Sequence, residues 1–422
     1  MNWVIERAKN DTYTMQLNGI NLYSKYNPRQ EAEKFISKEV NALTKKYILF
    51  GLGLGYHAEA LLKLSINTTI YIILADEKEL EICRQYGVAS ILNNSRIQIV
   101  SSSTGLKKSL EEELQVIIPL QWLKAIGPKH PLFSFLEDIK IRQMSFSTYS
   151  EIMKENFIDN ISKKHADIRL LNGIGQGCIG VLVASGPSLN DTIHLIKKIK
   201  DKCFILTVGS ALKQLLNENI IPDAVIICDA QDTVVEQLKN TGFKGILFYL
   251  STANKKSVNI HNGLKVVLFQ EGYSAAIREA KNRNSPLLET GGSVATTGLS
   301  LLLYFNFDSY YLFGQDFGFS GESTHAEFST SGVKIKNTNM FENIIANNGD
   351  NIYTTSNLRT YHRWFEKKIS MQQIEIYNTA HLGAKIKGAP YILNSKLLDK
   401  FDNVKVCNLR DRLIQYISPV SN

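Results

Sequence analysis

The sequence predicts an α/β protein: two Rossmann-like, doubly wound units with a helical connector between them and a helical C-terminal segment. Three observations carry this expectation. Short apolar, β-favouring runs alternate with stretches of helical spacing. Glycine- or serine-rich turns follow the runs, and polar clusters fall repeatedly just past predicted strand ends. The expected boundaries are residues 1–100 for an N-terminal Rossmann-like domain and 101–177 for the connector. Residues 178–400 form the expected second α/β domain, and 401–422 the C-terminal segment.

The first unit is read from Lys46-Tyr47-Ile48-Leu49-Phe50, an apolar run broken by Gly51-Leu52-Gly53-Leu54-Gly55. Ala58, Leu61 and Leu62 then set a helical spacing, Tyr71-Ile72-Ile73-Leu74 is the next strand, and Asp76 lies just past it. Strand, glycine turn, helix, strand and acid form a nucleotide-site pattern, in which glycines let a ligand approach a helix N-terminus and the acid accepts a ribose hydroxyl. The spacing is GxGxG rather than GxGxxG, and such a turn also serves where a helix packs closely on a strand. In the connector, residues 109–116 and 150–161 carry helical spacing, with Pro119, Pro128 and Pro131 as breakers.

The second unit opens with the small and β-branched run Ile179-Gly180-Val181-Leu182-Val183-Ala184, as expected for a buried parallel strand. Further strands are expected at 204–208, 224–228, 245–250, 264–269 and 309–313, with a helix at 295–304 before the last. An amphipathic helix at 357–374 is followed by Ile376-Tyr377-Asn378-Thr379 and by Ala384-Lys385-Ile386-Lys387-Gly388.

Composition narrows the function class. Of 422 residues, 44% are hydrophobic and 21% charged, which disfavours disorder and coiled coils. The net charge of +8 is scattered rather than blocked, so it favours anionic ligands without marking a nucleic-acid partner. Five cysteines with no metal spacing predict a reducing compartment and no metal site. No apolar run approaches the ~18 residues of a membrane span, and the start turns polar at once. The expected location is the cytoplasm.

In open α/β sheets ligands bind at the carboxyl ends of strands, near a switch in strand order. Five clusters of the second unit fall there: Ser185-Gly186-Pro187-Ser188, Gly209-Ser210, Asp229-Ala230-Gln231-Asp232, Ser251-Thr252 and Gln315-Asp316. Thr290-Gly291-Gly292-Ser293 adds a sixth at a helix start. Ser188 is read as a helix N-cap, and the free N–H groups of that turn, like those at Gly291, Gly292 and Ser293, as a cradle for phosphate. Neither is a Walker loop. Asp229 and Asp232 are read as metal ligands, as acceptors of sugar hydroxyls or as plain turn residues. Asp316 follows an apolar strand and a glycine, and His325 lies in the next polar loop, close enough in sequence for an acid/base role.

Taken in order, residues 181–189, 222–232, 291–297 and 312–326 are similar to the motility accessory factor family, flagellin glycosyltransferases of the DUF115 type. Trp364-Phe365-Glu366 and residues 378–388 extend the resemblance. The family's domain resembles bacterial sialyltransferases. The resemblance implies transfer of a nonulosonic acid, pseudaminic or legionaminic, from a CMP-activated donor to Ser/Thr of flagellin. It implies that Gly186, Pro187 and Ser188 hold CMP, with Gly292 and Ser293 near the phosphate or sugar carboxylate. Asp316 or His325 then takes the acceptor's proton, and backbone N–H groups and Lys385 receive the leaving CMP. Ser185, Gly209, Ser210, Asp229, Gln231, Asp232, Thr252, Gly291 and Gln315 complete the donor set. The donor carries one phosphate, so no cofactor is required, and Asp229 with Asp232 keeps a Mg²⁺ alternative open. One departure stands out: sialyltransferases follow the strand-end aspartate with an aromatic and a tyrosine, whereas Asp316-Phe317 is followed here by Gly318. The rival readings are a Mg-ATP pterin diphosphokinase, an S-adenosylmethionine methyltransferase using Gly51–Gly55 and Asp76, and a non-enzymatic flagellin-binding accessory protein.

Overall fold

The structure is a computed structural model that describes residues 1–41, 44–100, 114–320, 324–330 and 341–418. The chain divides into two units, Met1–Met144 and Ser145–Asn422.

The first unit begins with an antiparallel sheet of β1 (Trp3–Arg7), β2 (Tyr13–Leu17) and β3 (Ile20–Asn21). A parallel sheet follows, of β4 (Lys46–Phe50), β5 (Thr69–Ile73), β6 (Ile97–Val100) and β7 (Leu114–Ile117), in the order β6-β5-β4-β7. β4 is buried on both faces: Ile48 and Phe50 join one apolar cluster, Tyr47 and Leu49 the other. That is why its sequence is an unbroken apolar run. β7 places the end of this unit beyond residue 100. It also corrects the helix expected at 109–116: 114–117 is a strand hydrogen-bonded to β4, and 109–113 lie outside the described residues. The second expected helix is present within a longer one, Phe133–Ser162, in which the boundary between the units falls. The connector is therefore no separate helical body.

The second unit is one large parallel sheet. Its strands are β8 (Ala166–Asp167), β9 (Ile179–Val183), β10 (Phe204–Val208), β11 (Ala224–Ile227), β12 (Ile246–Leu250), β13 (Lys265–Gln270), β14 (Leu287–Leu288) and β15 (Ser309–Phe313). A hairpin, β16 (Glu342–Ile345) with β17 (Asn351–Thr354), precedes β18 (Glu375–Asn378). The sheet runs β14-β13-β12-β11-β10-β9-β15-β18, with β8 beside β13. From β9 the chain winds outward to β14, returns through helix Val294–Phe305, and adds β15 on the other side of β9. Strand order therefore reverses between β9 and β15. The strands are almost wholly buried: Val181, Leu206, Ile226, Leu247 and Phe313 are each 0% exposed, and truncating such a side chain costs ~3–5 kcal/mol. Helices Asn394–Asp402 and Leu409–Ile417 close the chain, the latter burying Leu409, Leu413 and Ile417. Among the described residues no helix is long and apolar enough to cross a membrane.

Candidate functional site

The reversal between β9 and β15 brings together Ser185-Gly186-Pro187-Ser188, after β9, and Gly314-Gln315-Asp316, after β15. The backbones meet directly, Gly186 N–H donating to Gly314 O at 2.8 Å. A side chain at 186 would collide with the Asp316 carboxylate. Asp316 is 5% exposed; it accepts from Ser188 N–H on Oδ1 (3.2 Å) and from Ser188 O–H on Oδ2 (2.8 Å). Burial pushes its carboxyl up to about 7, against the pull of those two bonds.

This corrects two expectations. Ser188 does not cap helix Leu189–Ile199 with its side chain; Asp316 does so from the neighbouring strand end. Nor is the turn an open phosphate cradle. Ser188 N–H is taken by Asp316 and Leu189 N–H by Gly186 O (3.0 Å). The turn's free polar surface lies beside it. Ser185 Oγ and Ser210 Oγ share a hydrogen bond of 2.8 Å at the ends of β9 and β10. Gln315 is 6% exposed, and its Oε1 is buried without a hydrogen-bond partner. Ala326 N–H donates to Ser185 O at 2.9 Å, which brings the loop of His325 over the turn. His325 Nδ1 lies 2.8 Å from Thr324 Oγ1, and burial lowers its pKa, so the ring is neutral at pH 7. Residues 321–323 of this loop lie outside the described residues.

Helix Ser356–Ser370 runs along the carboxyl ends of these strands. Its N-cap is Thr355, whose side chain accepts from Leu358 N–H. Trp364 lies against Gly291, and the Tyr361 ring lies 3.1 Å from where a Cβ on Gly292 would stand. Phe317, next to Asp316, packs against His362 and Phe365, and His362 Nε2 bonds Lys385 O at 2.8 Å. Glu289 fastens the helix, accepting from Trp364 Nε1 (3.0 Å) and Lys368 Nζ (2.8 Å). Thus one helix spans both the Gly291-Gly292 turn and the Asp316 strand end.

Asp229 lies under the same helix. Its side chain has exposed surface, yet it sits in a crevice crowded enough to push its carboxyl up. Its charge in turn helps raise Tyr361, after burial, so that phenol stays protonated. Asp232, three residues on, is exposed, bonded to Asn254 Nδ2 (2.9 Å) and paired with Lys256 (2.6 Å). Its carboxylate is thus committed to a lysine and an amide, a poor start for the carboxylate ligand set of a Mg²⁺ site.

The remaining sequence-predicted residues sort by the same geometry. At the Gly291–Ser293 turn, Gly291 and Ser293 N–H groups go to Thr296 Oγ1 (2.9 and 3.2 Å) within a capping box. Gly292, at φ +97°, is exposed, and its N–H has no hydrogen-bond partner among the described residues. Gly209 packs against Gln237. Thr252 is an interior residue, accepting from Gln270 at 2.8 Å. Gln231 is half-buried, and Lys385 is exposed, next to Ala384, whose N–H donates to Asp316 O at 2.7 Å.

Sequence reasoning missed Tyr361. It also missed why 318 is glycine: a Cβ there would lie 2.6 Å from Ile352 Cδ1 and 2.8 Å from Tyr353 O of β17. The hairpin fills the space a tyrosine would need.

The glycine turn of the first unit also sits at a switch in strand order, between β4 and β7. Here the chain supplies its own occupant. Glu79 accepts from Leu52 (2.6 Å), Gly53 (2.8 Å), Ala75 (2.6 Å) and Asp76 (3.1 Å) N–H groups. It is 0% exposed, and burial pushes its carboxyl to about 7 despite those four donors. Trp122 lies directly on Gly51, and Tyr23 Oη is 2.7 Å from where a Gly53 Cβ would stand. Asp76 accepts from Trp3 Nε1 at 3.3 Å.

Residues 155–322, which contain the Ser185–Ser188 turn and Asp316, match the family model described as 6-hydroxymethylpterin diphosphokinase MptE-like. An uncharacterized protein of Treponema pallidum (strain Nichols) is 25% identical over 228 residues, 47% of this chain and 74% of its own length. A second from the same organism is 29% identical over 185 residues, 42% of this chain and 41% of its own. Among solved structures, a Maf glycosyltransferase from Magnetospirillum magneticum AMB-1 superposes with a TM-score of 0.53 at 15% identity, covering 100% of this chain and 74% of that one. The chain shares that fold. The Maf resemblance drawn from the motifs thus holds, with an MptE-like segment inside a Maf-like architecture.

Proposed function

We propose that the second unit is a glycosyltransferase that moves a nonulosonic acid, of the pseudaminic or legionaminic type, from CMP to Ser/Thr hydroxyls of flagellin in the cytoplasm. The observation that carries the reading is the switch-point crevice beneath helix Ser356–Ser370. The helix sets a protonated tyrosine against the Gly291-Gly292 turn and packs on Phe317, and the strand ends beside it carry a neutral histidine loop and an unpartnered Gln315 oxygen, in a fold shared with a Maf glycosyltransferase.

In this reading the acceptor hydroxyl attacks the anomeric carbon as the bond to the phosphate oxygen breaks. His325 takes the hydroxyl proton. CMP leaves as an anion received by the Tyr361 O–H, the Gly292 N–H and Lys385, donors placed where charge develops. Tyr361 thereby supplies the hydroxyl that Gly318 lacks. Asp316 positions: its oxygens are committed to Ser188, so it holds the turn while Ser185, Ser210, Gln315 and Asp229 meet the donor.

The family-model description favours a second reading, a pterin diphosphokinase with Mg-ATP. Commitment of Asp232 to Lys256 and Asn254 weighs against its metal site. A methyltransferase would need the first unit's glycine turn, which Glu79 and Trp122 occupy. Calorimetric titration with CMP, Mg-ATP and S-adenosylmethionine decides. The expected result is CMP binding alone, weakened about tenfold by Gly292→Ala, which would press on Tyr361 at a positive φ. Binding of Mg-ATP without CMP would overturn the transferase, and silence on all three would leave the accessory-protein reading.

A further inference from the structure

The loop that carries His325 is tied down by a side chain that the transfer scheme leaves out. Ala326 and Glu327 follow the histidine directly, and both of their N–H groups are bonded to the end of the sheet. Ala326 N–H donates to Ser185 O at 2.9 Å, and Glu327 N–H donates to Asn190 Oδ1 at 3.0 Å. Asn190 stands in the first turn of helix Leu189–Ile199, two residues past Ser188. Its Oδ1 accepts a second bond, from Gln214 Nε2 of helix Gly209–Asn217 at 2.8 Å. A backbone N–H can only donate, so the Asn190 atom facing the loop is fixed as the oxygen. Gln214 is buried, and its own Oε1 has no partner among the described residues. Its bond to Asn190 is therefore what that interior amide contributes. The loop also holds strained backbone: Phe328 has φ +59°, and a ring that is 66% exposed packs too little to dictate it. Such a conformation persists where its surroundings over-determine it. Here the Glu327 bond precedes it, and Ser329 N–H donates to Ala326 O (3.3 Å) after it.

We propose that Asn190, aimed by Gln214, is a positioning residue that fixes the His325 loop over the switch-point turn. The inference rests on the reading of His325 as the base, and it names what sets where that base stands. Two consecutive N–H anchors immediately after a residue leave its Cα little freedom, so the imidazole keeps one place beside the Ser185 turn. Proton abstraction needs hydrogen-bond reach, and a small displacement of the base is costly. Without the Asn190 oxygen, Glu327 N–H loses its partner and the Ser185 bond is the one anchor left of the two. Asn190 itself stays outside the chemistry: its oxygen is committed to two donors, so it acts through His325.

The test compares Asn190→Ala with Asn190→Asp, which keeps the accepting oxygen, in the full chain at equal circular dichroism. Diethylpyrocarbonate modification of His325, mapped by mass spectrometry, reads the loop directly and needs no substrate. The expected result in Asn190→Ala is modification about fivefold faster, with faster hydrogen exchange across residues 324–330. In transfer from a CMP-activated nonulosonic acid to flagellin, turnover should fall about tenfold, with KM for the donor and CMP affinity little changed. Asn190→Asp should return the modification rate and the turnover to near those of the unsubstituted chain. An unchanged modification rate in Asn190→Ala, a loss confined to KM, or equal damage from Ala and Asp would each overturn the proposal. Where Asn190→Ala fails to fold, Gln214→Met decides, because it removes the aiming donor at similar volume. Faster modification there supports the proposal, and an unchanged rate overturns it. Absence of transfer even by the unsubstituted chain would sink the transferase reading alone, and the His325 modification rates would still decide whether Asn190 holds the loop.

Discussion

The molecule carries the same topological device twice, and the two copies are filled differently. In each unit a parallel sheet reverses its strand order, at β4/β7 in the first and β9/β15 in the second, and a glycine-bearing turn follows the central strand. In the first, four N–H groups that would face a ligand converge on the Glu79 carboxylate, and Trp122 covers Gly51. In the second, Asp316 stands under the turn and takes only Ser188's donors, while Ser185 and Ser210 share a hydrogen bond beside it and the buried Gln315 oxygen has no partner. Strand order says where a crevice forms; the nearest buried carboxylate says whether it stays open. One unit has turned its switch point into scaffold, and we propose that the other has kept it as a site.

The sharpest way to break this contrast is Glu79→Ala. Removing the shared acceptor strands buried N–H groups and should cost the first unit about 4 kcal/mol, read by urea denaturation, with CMP affinity in the second unit unchanged. A loss of CMP binding at equal foldedness would show that the two switch points are not independent. Next in size is a pH effect. The folded chain holds the Glu79 proton up to about pH 7, whereas the unfolded chain releases it near the ordinary 4.5. Between those values the folded state binds more protons, so stability should fall as pH rises, by up to about 3 kcal/mol. Glu79→Gln should flatten that decline in a denaturation series.

Asp316→Asn tests the other side. An amide cannot accept from both Ser188 donors, so the turn shifts, and transfer should fall about 10²-fold for a displacement near 1 Å while circular dichroism is retained. Full transfer would remove Asp316 from the positioning role. The smallest effect is expected of Tyr361→Phe, which keeps the ring against Gly292 and deletes one donor to the leaving phosphate. The turnover number should drop about tenfold with KM for the donor little changed, and an equal loss in both would make Tyr361 a packing residue.

Much of this was readable from the residues. β4, β10 and β15 lie where continuous apolar runs put them, since strands buried on both faces leave no other pattern. β7 was not readable, because Leu114-Gln115-Val116-Ile117 is too short to separate a strand period from a helical one. The hairpin β16–β17 escaped for a related reason: with Glu342, Asn343 and Ile345 exposed, it has little apolar signal. At the site, Ser188 and Asp316 were each flagged as strand-end residues, but not that one answers the other across 128 positions. A free N–H and a satisfied one look identical in a sequence. Tyr361 was invisible because its relevance comes from the tilt of a helix laid over the sheet, and no local spacing records that.

Position 318 has an evolutionary consequence. With Ile352 and Tyr353 of the hairpin packed where a side chain would go, any single replacement of Gly318 meets a clash before it can confer an advantage. A tyrosine there requires a second change that shortens or shifts the hairpin. Residue 318 and the hairpin are therefore coupled: the effect of a substitution at one depends on what stands at the other.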